Sequence, residues 1–92
     1  MSSLQKYNFK NIAGAADKLV TTGPGTLHTL VINTTAASGI VIYDGTATGG
    51  TKIATIAASP VIGSTFTFDA GFATGLFVSV GGASDVTLSY GL

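Results

Sequence analysis

The chain has 92 residues, of which only 9% are charged: four Lys and four Asp, which cancel at pH 7. A typical soluble domain carries about 25% charged residues, so the polar surface here must come from Thr, Ser, Gly and Asn. With no Cys there is no disulfide framework or thiolate metal site, and four Lys without Arg make no phosphate-binding stripe, which excludes a nucleic-acid partner.

The first predicted strand covers residues 4–12. Tyr7 and Phe9 share one of its faces, beside Lys6, Asn8 and Lys10. An aromatic pair with basic flanks suits a strand edge that docks on a neighbour, so residues 1–12 are a candidate docking strand or arm; the equal alternative is a strand paired within its own sandwich. The same residues lack the apolar core of a secretory signal. No apolar run in the chain reaches the ~20 residues of a membrane helix, and no membrane partner is expected.

A second strand is predicted over 16–22, and Gly23-Pro24-Gly25 breaks the chain after it. In the third, 26–34, Leu30 and Ile32 alternate with Thr29 and Val31, and His28 falls on the Leu30 face. The fourth, 39–44, is apolar on both faces through Ile40-Val41-Ile42-Tyr43, which suits a central strand. Asp44-Gly45 reads as its closing turn, with Asp44 tolerating and Gly45 favouring the left-handed conformation. The fifth strand covers 51–57, followed by breaks at Ser59-Pro60 and Gly63.

In the sixth, 64–69, Phe66 and Phe68 alternate with Thr65 and Thr67. The seventh, 75–81, places Leu76, Val78 and Val80 on one face and Phe77 on the other, so Phe77 is expected to face a partner. Gly81-Gly82 is short enough for a hairpin into the eighth strand, 84–91, where Val86, Leu88 and Tyr90 alternate with Asp85, Thr87 and Ser89. No window free of Gly carries a helical apolar face. Eight short strands at ~10-residue spacing predict one all-β domain over 1–92, an antiparallel β-sandwich of jelly-roll-like form.

Little in the chain points to catalysis. His28 is the sole histidine, no serine sits in a nucleophile elbow, and Gly45 to Gly50 lacks the Lys of a phosphate loop. Asp17, Asp44, Asp69 and Asp85 show no pairing by spacing. Asp17 and Asp85 are the weak candidates for calcium, but the repeated Asp pattern of a calcium loop is absent. The expectation is a non-enzyme without cofactor or metal. A short chain without disulfides and with few charges to hold strand edges apart is expected to oligomerise.

Residues 26–90 resemble small β-sandwich virion proteins of tailed bacteriophages. The resemblance rests on Gly25-Thr26-Leu27-His28, Ile40 through Thr46, Gly50 through Ile56, Gly75 through Val80 and Asp85 through Tyr90. It implies a structural protein that decorates or cements the capsid, or forms part of a head fibre. It also implies self-association, as a trimer, and attachment to the major capsid protein or another virion protein. Such a protein is made in the host cytoplasm and ends on the virion surface or an appendage. Lys6, Tyr7, Phe9, Lys10 and Phe77 are the candidate protein-interaction residues. The alternative is a carbohydrate- or receptor-binding module of a tail fibre or adhesin.

Overall fold

A computed structural model describes residues 7–14, 16–34, 39–57, 60–82 and 84–92. Eight strands follow one another: β1 (Asn8–Ala13), β2 (Ala16–Thr22), β3 (Gly25–Thr34), β4 (Ile40–Asp44), β5 (Thr51–Ile56), β6 (Thr65–Phe72), β7 (Gly75–Val80) and β8 (Asp85–Gly91). They form two four-stranded sheets, ordered β1-β8-β3-β6 and β2-β7-β4-β5, and every ladder is antiparallel. Successive strands cross from sheet to sheet everywhere except at β4–β5, which is the topology of a jelly roll.

The alternation places the core as expected. Ile12, Leu30, Ile32, Val86 and Leu88 from the first sheet meet Ile40, Ile42, Leu76, Val78 and Val80 from the second. Period two sends each of these inward and its neighbours outward. Phe66, Phe68 and Tyr90 pack against the same cluster at its margin. β4 lies between β7 and β5, with Ile40 and Ile42 fully buried, as its two-sided apolar sequence suggests.

Three expectations require correction. First, Gly81-Gly82 does not close a hairpin, because β7 and β8 belong to different sheets. The turn, with Gly82 at φ 66°, carries the chain across the core instead. A short glycine loop serves a crossing as readily as a hairpin when the sheets are ~10 Å apart. Second, His28 does not share a face with Leu30 and Ile32. It is the extra residue of a bulge, since Leu27 and Thr29 pair with the consecutive residues Tyr90 and Ser89. A bulge turns one residue out of the alternation. Third, Asp44-Gly45 does end β4, but Asp44 is not left-handed. The left-handed aspartate is Asp69, at φ 49°, inside the matching irregularity of β6.

Candidate interaction surface

The outer face of the β1-β8-β3-β6 sheet is built from the polar half of each alternation. Ser89 pairs with Phe9 on one side and Thr29 on the other, and Thr29 pairs in turn with Thr67. The next row is Asn11, Thr87, Val31 and Thr65. The hydroxyls of Thr29 and Ser89 meet at 2.5 Å. Asn11 and Asn33 each donate to Asp85 Oδ1, at 2.6 and 3.1 Å. These two amides, Asn11 first, hold the Asp85 carboxyl below the ordinary carboxylate range. Three strands are thereby tied through one carboxylate.

At one end of this face the two irregularities meet. His28 Nδ1 lies 2.5 Å from Asp69 Oδ1, and the Tyr7 ring stacks on the imidazole with centroids 4.2 Å apart and planes 6° from parallel. Tyr7 reaches His28 by passing over Gly91, where an added Cβ would stand 3.5 Å from its ring. The stack pins the start of β1 across β8 onto β3.

The candidate interaction residues do not form one patch. Tyr7 and Phe9 stand on this outer face, and Phe9 is 75% exposed. Lys10 is exposed too, but it opposes Leu88 and so lies on the other side of β1, at the rim of the core. Lys6 is outside the described residues. Phe77 lies on the outer face of the second sheet, as the alternation requires, yet only 8% of it is exposed. Its cross-strand neighbours are Leu19 and Tyr43, and the Tyr43 ring lies 6.3 Å away, centroid to centroid. Its own chain therefore covers most of the surface that was expected to face a partner.

Asp17 and Asp85 do not come together: Asp17 accepts from Ser79 Oγ at 2.6 Å in the second sheet, and Asp85 is held by Asn11 and Asn33 in the first. Asp44 receives N–H groups from Ala73, Thr74 and Gly75 at 3.0, 2.9 and 3.4 Å. Those amides, Ala73 first, hold its carboxyl below the usual range and clamp the β6–β7 turn onto β4. Among the described residues no three His, Asp, Glu or Cys side chains gather as a metal site.

One feature was not anticipated from sequence. Between the free edges of β5 and β6 runs an open groove of about 550 Å³, lined by Ala54, Ile56, Pro60, Val61, Phe66 and Phe68 among others. Val61 and Ile62 beside it are 73% and 60% exposed. The signal available in the sequence was that Val61-Ile62 lies in a turn, away from any alternating strand. Comparison with protein-family models, curated proteins and solved structures finds no match to the chain.

Proposed function

We propose that this chain is a non-enzymatic structural protein of a phage virion, one that decorates or cements the capsid or forms part of a head fibre. Its partners are further copies of itself and the major capsid protein, and its place is the virion surface. The observation that carries this reading is the outer face of the β1-β8-β3-β6 sheet, which is hydroxyl- and amide-covered, with Phe9 projecting from it. A broad surface of that kind suits extended protein contact rather than capture of a small molecule, which favours a concave site. Its two carboxylates, Asp69 and Asp85, already accept hydrogen bonds from His28 and from Asn11 and Asn33. The lone pairs of both carboxylates are thus partly occupied, which lowers the cost of covering the face. The jelly roll also occurs in lectin domains, so the fold alone does not select the virion reading over a sugar-binding module. The groove does weigh between them: among the described residues its lining has Phe66 and Phe68 but no carboxylate or amide side chain to take sugar hydroxyls.

Mass spectrometry of purified particles from the phage that encodes the chain tests the proposal. The expected result is the chain in fixed ratio to the major shell protein. Its absence from intact particles would overturn the reading.

A further inference from the structure

Among the described residues, each sheet of the sandwich ends in two strands paired on one side only: β1 and β6 in one, β2 and β5 in the other. A free edge offers unpaired N–H and C=O groups to any extended chain, and lysine on the edge is a common protection against such pairing. The described lysines are all exposed, and they sit on these strands: Lys10 on β1, Lys18 on β2 and Lys52 on β5. β6 is the one edge strand without a lysine. In a chain with so few charges, that distribution leaves one edge open.

The open edge also carries apolar surface. Phe66 and Phe68 of β6 form one wall of the groove, with the exposed Val61 and Ile62 beside it. We propose that β6 pairs antiparallel with β6 of a second copy of this chain, about a two-fold axis, joining two four-stranded sheets into one of eight strands.

The sequence Thr65-Phe66-Thr67-Phe68 is suited to this because its alternation reads the same in both directions. With Thr67 on the axis, Phe66 of each copy opposes Phe68 of the other, and Thr67 opposes Thr67. Residues directly opposite in an antiparallel ladder share a face. Aromatic side chains therefore meet aromatic ones on the groove side, and hydroxyls meet hydroxyls outside, both favourable cross-strand pairs. A partner of different sequence would find no charge on Thr65–Phe68 to read, whereas a second copy supplies the matching alternation. Asp69, with its left-handed backbone, interrupts the extended conformation and stops the ladder after Phe68.

The contact is modest. The ladder from Thr65 to Phe68 is roughly 13 Å long, and the molecule is 17 Å across its thin axis. Two such flanks together bury on the order of 450 Å², below the range of stable interfaces, so the contact is weak and transient. The dimer accordingly forms only at high protein concentration and separates on dilution. An isologous contact closes at two, unlike the three-fold ring that the resemblance to virion proteins implies. The inference rests on the proposed assembly role only in expecting self-association. Its test needs no particles, so its failure leaves the virion reading to be decided separately.

Light scattering after size exclusion, over rising concentration, should give a dimer mass for the full chain. Thr67→Lys, which gives β6 the protection of the other edges, should give a monomer with an unchanged melting temperature. Thr67→Cys should form a disulfide-linked dimer on mild oxidation, because opposed Cα atoms ~4.5–5.5 Å apart lie within disulfide range. Thr51→Cys on the β5 edge should not cross-link. The chain has no other cysteine to confuse the result, and this small substitution tests the geometry even if Thr67→Lys fails to fold. A monomer at every concentration, a trimer, or a dimer untouched by Thr67→Lys would overturn the proposal. So would a Thr67→Cys thiol that cross-links only to another protein in purified particles, since β6 would then bind a virion partner instead.

Discussion

Replacing Leu88 by Ala tests the packing at the centre of the first sheet. Leu88 has no exposed surface, and its strand is paired on both sides, with Lys10 opposite it on β1 and Leu30 opposite it on β3. Removing a buried Leu side chain beyond Cβ costs about 2–5 kcal/mol, depending on how far the surroundings close the cavity. Here β1 is an edge, and the aliphatic stem of Lys10 can fold over part of the space. A cost of about 3 kcal/mol is therefore expected, against a total stability of roughly 5–14 kcal/mol for a domain of this size. Each kcal/mol lowers the melting temperature of a small domain by about 4–8 °C, so a drop of roughly 12–24 °C should follow. Phe9→Ala serves as the control. Phe9 sits on the same sheet but points outward, and its loss should stay within about 0.5 kcal/mol. Urea denaturation of both variants at equal slope would measure the difference. Equal midpoints for Leu88→Ala and the parent would refute the assignment of Leu88 to the core.

Further outcomes follow from the same geometry. Phe77→Asp should destabilise the fold by about 3 kcal/mol or more, because it places a carboxylate where Phe77 packs by Tyr43; an intact melting curve would show that Phe77 is dispensable to the monomer. Gly75→Ala should cost about 1–3 kcal/mol, since a Cβ there would lie 2.8 Å from Gly45 O and 2.9 Å from Thr21 O, both backbone atoms; thermal denaturation reads this directly. Asp44 and Asp85 are held below the ordinary carboxylate value, so their contribution to stability is complete above the unfolded pKa of about 3.9 and falls away as pH drops through the folded values. Melting temperature should therefore decline below about pH 4, and Asp44→Asn should flatten the decline; a stability independent of acid would contradict both carboxylates.

The positions of the strands were legible because each carries its own period-two alternation. Residues such as Leu76, Val78 and Val80, or Val86 and Leu88, announce their face without help from the rest of the chain. Pairing partners were not legible, since alternation does not say which sheet a strand joins. Gly81-Gly82 permits either a hairpin or a crossing, and the choice is made by burying β7 and β8 in opposite sheets. His28 was misplaced because a single bulge shifts everything before it by one residue, and nothing at His28 itself marks the shift. The Tyr7–His28–Asp69 row and the Asn11–Asp85–Asn33 cluster join strands remote in sequence. Their only local trace is the presence of Asn, Asp and His inside strands, where such residues are uncommon.

The low charge content takes on a different meaning once the charges are placed. Each of the four aspartates accepts hydrogen bonds from its own chain: Asp17 from Ser79, Asp44 from the β6–β7 turn, Asp69 from His28, and Asp85 from Asn11 and Asn33. Acidic groups here tie strands together, and the described lysines occupy strand edges. Little charge remains to cover the sheet faces, which are left to Thr, Ser and Asn. Neutral hydroxyls lose less on leaving water than ionised groups do, so those faces can be covered by another protein at modest cost. The edges bearing lysine resist pairing for the opposite reason. A chain built this way carries lysine at three edges and leaves its faces and β6 without it, a distribution that suits the proposed assembly role.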